Sequence, residues 1–327
     1  NHMPVMSGAV VELPNATAYD FTEVTSTIPY GHVPGSSMAE NQVDSSPEAW
    51  AMITGDINSD GMLKYSGADN DRALIILRIF NEGGTLLTHT APGYFDEDIT
   101  MDYLTQYTGG GNDRDAMVNS LNTASQSGYL NAVYYTVVPG ADFTSKSVSS
   151  NDGPLHIALQ DNEDHISVVL EKTQEIDGLV DNVQFTLQWE TGNGYMEKLM
   201  TLAESYYGIM PQGPAYQKGD YSYQVFVGVT PFGIAQESIE LVTLPKYNDF
   251  QVAGTLNIAS DEVTNQINGS YYISVYGKDM TGEVLESKVG LGEETTSQIA
   301  VYPNPVSTTL NITVPQTGAF NLALTDL

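Results

Sequence analysis

The sequence predicts a mainly β protein, a β-sandwich with a small loop-and-helix module ahead of it. Three observations predict this. Twenty tyrosines and 30 glycines, with abundant Val and Thr, favour strands and turns over helices. Val183-Gln184-Phe185-Thr186-Leu187-Gln188-Trp189 alternates apolar with polar residues, the pattern of a strand with two unlike faces. Short runs of this kind recur between turn signals across 129–286, a spacing that fits a sandwich rather than βαβ units.

In chain order, residues 1–48 read as short strands and turns, the C-terminal part of a truncated β domain. Ala9-Val10-Val11-Glu12-Leu13 and Ala18-Tyr19-Asp20-Phe21 are its strand-like runs. Residues 49–122 form the small module, with helices expected over 73–80 and 116–121. The sandwich occupies 129–286. Its strands are expected at 130–138, 155–159, 166–170, 182–189, 221–229, 239–243, 251–258 and 270–276, with a helix or an irregular crossing at 195–205. Residues 287–298 are polar, offer little to bury, and read as a linker. Residues 299–327 begin a new β module with strands at 310–314 and 320–324. The opening Asn1-His2-Met3-Pro4 and the closing Thr325-Asp326-Leu327, which falls in a β-patterned stretch, lead to the expectation of a fragment.

Composition narrows the functional classes. There are 41 acidic residues against 11 basic ones, a net charge of -30. Such a field repels phosphate backbones and anionic membranes, and attracts cations. No run approaches the roughly 18 apolar residues of a membrane span. With no cysteine, disulfides, thiolate metal sites and cysteine catalysis are excluded.

The charge is patterned within 50–121. Asp56-Ile57-Asn58-Ser59-Asp60-Gly61 begins a segment that runs to Asn70-Asp71-Arg72. Asp98-Ile99-Thr100-Met101-Asp102-Tyr103 begins a second one that runs to Asn112-Asp113-Arg114. Matched residues lie 42 apart throughout. Calcium loops place side-chain oxygens at positions 1, 3 and 5, a backbone carbonyl at 7 and a later closing carboxylate. In the first loop these are Asp56, Asn58, Asp60, the carbonyl of Met62, and Asp71. In the second they are Asp98, Thr100, Asp102, the carbonyl of Leu104, and Asp113. The closing aspartates stand at position 16, four residues beyond an EF-hand's closing acid. Gly61 permits the sharp turn at position 6, where the second loop carries Tyr103, so the second loop is expected to be weaker. Asn70 and Asn112 stand where helix N-caps belong.

The string from Gly55 to Arg72 resembles a paired dockerin-like calcium module of large secreted Bacteroidetes proteins, over about 70 residues. Tyr103 departs from that pattern. Val301-Tyr302-Pro303-Asn304-Pro305 followed by Leu310-Asn311-Ile312 is similar to the type A C-terminal sorting domain of the type IX secretion system, truncated at 327. That resemblance implies export by the type IX machinery and a secreted or cell-surface location. The sandwich loosely resembles immunoglobulin-like and cohesin-like folds. Two readings stay open: a calcium-stabilised structural and protein-interaction module with a cohesin-like domain as partner, and a carbohydrate-binding accessory region of an extracellular glycoside hydrolase or adhesin, in which the sandwich binds an extracellular glycan.

Signals for catalysis are sparse. Asp161, Glu163 and Asp164 beside His165 form the nearest thing to a catalytic cluster, and adjacent acids on a loop are ordinarily solvated. His2, His32, His89 and His156 show no metal-ligand spacing, and neither a Gly-x-Ser-x-Gly elbow nor a P-loop is present. Trp50 and Trp189 could serve as sugar platforms, although sandwich tryptophans are more often buried. The expectation is a non-catalytic region; a catalytic domain upstream of Asn1 stays open.

Overall fold

The computed structural model describes residues 38–43, 46–135, 152–228, 230–246, 254–286, 288–291, 300–302 and 311–313. Strands β1 (Met38–Val43) and β2 (Ser46–Met52) form an antiparallel hairpin. The remaining strands expected within 1–48, the side chain of Trp50, His2, His32 and the strand expected at 320–324 lie outside the described residues.

The module follows as two copies of one unit. The first holds β3 (Met62–Lys64) and α1 (Asp71–Asn81). After β4 (Thr90–Pro92), the second holds β5 (Leu104–Gln106) and α2 (Asp113–Ser125). Both expected N-caps form: Asn70 Oδ1 accepts from Ala73 N and Asn112 Oδ1 from Asp115 N, each at 2.9 Å. Strand β6 (Val133–Tyr135) pairs with β3, and β4 pairs with β5. The expectation of a sandwich strand at 130–138 is therefore corrected. Its apolar residues serve the module, where Tyr134 is buried with Leu63, Ile75, Ile76, Ile79, Tyr107, Met117 and Leu121.

The sandwich consists of two sheets. Its strands are β7 (Leu155–Asp161), β8 (His165–Lys172), β9 (Val180–Glu190), β10 (Glu204–Ser205), β11 (Ile209–Pro211), β12 (Tyr216–Lys218), β13 (Tyr221–Gly228), β14 (Ser238–Pro245), β15 (Gly254–Ile258), β16 (Tyr272–Val275), β17 (Lys278–Asp279), β18 (Thr281–Glu286) and β19 (Lys288–Leu291). The smaller sheet has the order β10-β14-β8-β7-β18, in which only β18 runs parallel to its neighbour. The larger is built on β9, flanked by β13 on one side and by β15 and β16 on the other. Helices α3 (Gly194–Thr201) and α4 (Glu262–Gln266) lie between strands; the stretch expected at 195–205 as a helix or an irregular crossing is helix as far as Thr201 and then joins β10.

Alternation makes the core. Val183, Phe185, Leu187 and Trp189 of β9 meet Leu155, Ile157, Ile166, Val168 and Leu170 of the facing sheet. Residues 288–291, expected in a linker, instead pair as β19 with β15, because an edge strand is recruited through its backbone and does not need apolar side chains. Beyond the sandwich, β20 (Ala300–Tyr302) and β21 (Asn311–Thr313) form a separate antiparallel pair.

The polar face of β9 is buried as well. Asn182, Gln184 and Thr186 are fully buried, since loops of the sandwich and the module cover them. Thr186 Oγ1 donates to Gly269 O at 2.7 Å and Gln184 Nε2 to Ser270 O at 2.9 Å. The module docks beside them through Arg72, whose Nη2 donates to Asp181 O at 2.9 Å. Phe80 packs against Tyr276 with the rings tilted by 33° and their centroids 3.8 Å apart. Gly277, at φ +75°, comes so close to helix α1 that an added Cβ would lie 2.4 Å from Ala73 O.

Candidate metal centre

In the first loop the turn is held by its own acids. Asp56 accepts from Asp60 N (3.1 Å) and Gly61 N (3.2 Å), and Asp60 accepts from Met62 N (2.8 Å). Asn58 donates to Asp60 Oδ2 at 3.0 Å. Asp71, fully buried at the start of α1, reaches back across the loop. Its Oδ1 accepts from Ile57 N at 2.8 Å and its Oδ2 from Lys64 N at 2.9 Å.

The second loop repeats the backbone bonds of this clasp, and differs at position 3. Asp98 accepts from Asp102 N (3.1 Å) and Tyr103 N (2.9 Å), and Asp102 from Leu104 N (2.9 Å). Asp113, also fully buried, accepts from Ile99 N (2.8 Å), Thr100 N (3.0 Å) and Gln106 N (2.7 Å). Thr100 Oγ1 lies 3.3 Å from Asp113 Oδ1. The backbone repeats too: φ is 58° at Ser59 and 60° at Met101, and 81° at Gly61 and 78° at Tyr103. Tyr103 thus holds the left-handed conformation for which the first copy uses glycine, at a steric cost of about 1 to 2 kcal/mol.

Burial dominates the electrostatics. It lifts Asp56 to about 6, with the neighbouring Asp60 carboxylate adding to the effect. It also raises Asp60, Asp113 and, well above the ordinary range, Asp71. The donor set is all oxygen and hard, which is the chemistry calcium takes. Each carboxylate oxygen that accepts one N–H keeps a second lone pair. Among the described residues, however, no group of three or more His, Cys, Asp or Glu side chains is disposed to hold a metal ion. The carboxylates are turned towards backbone N–H groups, so coordination would need Asp56, Asp60 and Asp71 to draw together. Met62 and Leu104, expected to give carbonyls, each open a short strand, β3 and β5.

Each copy of the repeat also carries an arginine and a tyrosine outside the carboxylate set. Arg72 lies over the ring of Tyr65 (5.0 Å to the centroid), and Arg114 over that of Tyr107 (5.1 Å). Arg72 Nη1 crosses to the other copy, 3.1 Å from Tyr107 Oη. The constant offset of 42 held this signal, since Tyr65 and Arg72 recur as Tyr107 and Arg114.

The acidic cluster at the β7–β8 turn is an ion network. His165 lies between Asp164 (Nδ1 to Oδ1, 2.6 Å) and Glu240 (Nε2 to Oε1, 3.1 Å), which together hold its pKa above the usual imidazole range. Ser167 donates to Glu240 Oε1 at 2.5 Å rather than to His165, so serine and histidine do not form a nucleophile–base pair. Asp161 pairs with Lys246. Trp189 is 2 % exposed inside the sandwich, which removes it as a sugar platform.

No protein-family model matches the chain, and no curated protein matches it. Solved structures do. One is a cohesin module from the Clostridium perfringens ATCC13124 family 33 glycoside hydrolase, at 9% identity and a TM-score of 0.26, covering 43% of this chain and 96% of that one. Another is endoglucanase CelQ from Clostridium thermocellum, complexed with cellobiose and cellotriose, at 12% identity and a TM-score of 0.22. It covers 53% of this chain, which spans 30% of CelQ. Likeness at that level carries no functional argument, and the mainly β sandwich rests on the sheets themselves. Among the described residues, no helix is long and apolar enough to cross a membrane.

Proposed function

We propose that the chain is a non-catalytic, calcium-stabilised part of a secreted or cell-surface protein, serving as a structural and protein-interaction module. The duplicated clasp carries this reading. Two loops place carboxylates at the same three positions, and each buries a closing aspartate without exposure to solvent. Burying several anions side by side is costly without a counter-charge, and a divalent cation supplies one. The first ion would be held by Asp56, Asn58, Asp60, the Met62 carbonyl and Asp71. The second would be held by Asp98, Thr100, Asp102, the Leu104 carbonyl and Asp113. Export by the type IX machinery is supported by Val301 to Pro305 with Leu310 to Ile312. A cohesin-like domain is the protein partner that the module's resemblance favours.

The test is calorimetric titration of the whole chain with calcium, with Asp56→Ala and Asp98→Ala in parallel. Two sites, lost one at a time, and a melting temperature that rises with calcium are expected. Absence of both binding heat and a melting shift would overturn the proposal.

A further inference from the structure

A cleft of about 290 Å³ opens where the module meets the sandwich. It is lined by Tyr129, Asn131 and Tyr135 on the module side and by Gln266 and Asn268 at the end of α4. Tyr129 is 42% exposed and Tyr135 50%. None of the residues lining the cleft is charged, in a chain with 41 acidic residues.

Chemistry narrows the ligand. An anion would be repelled by the net charge of -30, and a cation would be drawn to carboxylates elsewhere. The cleft itself offers aromatic faces, amides and hydroxyls. Tyrosine rings present an apolar face with a polar tip, so they suit a ligand that is apolar on its C–H faces and hydroxylated at its edges. Neutral sugars have that character. The volume lies just under that of drug-sized small-molecule sites, about 300 to 1,000 Å³, and fits one sugar unit of a longer chain.

Hydrogen bonds between these two segments fix the site in advance. Asn131 Nδ2 donates to Ile267 O at 3.2 Å. Asn268 Nδ2 donates to Asn131 O at 3.0 Å and to Ser66 O at 3.3 Å. Next to the cleft, Leu130 N donates to Gln212 Oε1 at 2.9 Å and holds the same segment to the sandwich. Gln266 uses its Oε1 to accept from Lys218 Nζ at 2.5 Å, and its amide N–H groups have no partner among the described residues. A site pinned in this way binds without first losing conformational freedom.

We propose that this cleft binds a neutral glycan, with Tyr129 and Tyr135 stacking on a sugar ring and Gln266 donating to its hydroxyls. The site uses neither the loop carboxylates nor the buried Trp189. The test is affinity electrophoresis of the whole chain through gels containing galactomannan, xyloglucan, starch or hydroxyethylcellulose, with polygalacturonate as the anionic control. Retardation by at least one neutral polysaccharide is expected. Tyr135→Ala and Gln266→Ala should each weaken it by about tenfold, and Gln266→Ala, an exposed side chain, should do so with the melting temperature in place. Three results would each overturn the proposal: no retardation by any of the four neutral polysaccharides, retardation undiminished in both variants, or retardation by polygalacturonate alone.

Discussion

Replacing Arg72 with Met should destabilise the protein by about 3 to 5 kcal/mol, the usual cost of removing one partner from a buried ion pair. Arg72 is fully buried and Asp181 is 1% exposed, with the guanidinium 4.0 Å from the Asp181 carboxylate. Met keeps the apolar packing over Tyr65. It loses the bonds to Asp181 O and Tyr107 Oη and leaves a buried carboxylate without its counter-charge. For a folded unit of this size each kcal/mol moves the melting temperature by about 2 to 4 °C, so a fall of roughly 6 to 20 °C is expected by calorimetry. Asp181→Asn should cost less, since Asn keeps an acceptor for Ser274 Oγ and Gly277 N, both at 3.1 Å. The double variant should cost less than the sum of the two, with a coupling of at least about 2 kcal/mol. The deficit should also depend on pH. Burial already raises Asp181, and Arg72 opposes that rise. Without Arg72 the folded-state pKa climbs further above its unfolded value. The deficit is then present in full above that pKa and fades as pH falls through it and the carboxyl takes up a proton. A cost under about 1 kcal/mol for Arg72→Met, or additive single effects, would refute the reasoning.

Gly277→Ala should cost about 2 to 4 kcal/mol, from the left-handed φ and the contact with Ala73 O, and urea melts should resolve separate transitions for module and sandwich; an unchanged midpoint would count against the tight docking. The two loops should respond with opposite sign at position 6. Gly61→Ala should destabilise by about 1 to 2 kcal/mol, while Tyr103→Gly relieves a comparable strain, both read as shifts in urea midpoint. His165 should titrate by NMR above 6.5 and move back towards it in Glu240→Gln. Because its folded pKa is raised, its contribution to stability is full below the unfolded pKa and is lost as pH rises through the folded one.

Local features were legible in the sequence because they depend on neighbouring residues. The 42-residue repeat, the caps at Asn70 and Asn112, and the helices after them follow from short-range spacing. So does the alternation of β9, which places Val183 to Trp189 in the core. The departures all concern contacts between distant segments. Val133–Tyr135 has strand character, but only packing decided that its partner is Met62–Lys64 rather than a sandwich strand. Lys288–Leu291 is too short a run, set in a polar stretch, to announce a strand, and becomes one because β15 offers an open edge.

The sequence by itself determined two aspartate-rich loops of equal design and a mainly β chain, because loop chemistry and side-chain periodicity are local. Only the tertiary structure decided that the carboxylates clasp backbone N–H groups, that Trp189 is buried, and that the polar face of β9 is covered. It alone brought Arg72 against Asp181 and gathered Tyr129, Tyr135 and Gln266 around one cleft. Those outcomes depend on which surfaces exclude water from one another, and no stretch of sequence specifies that alone.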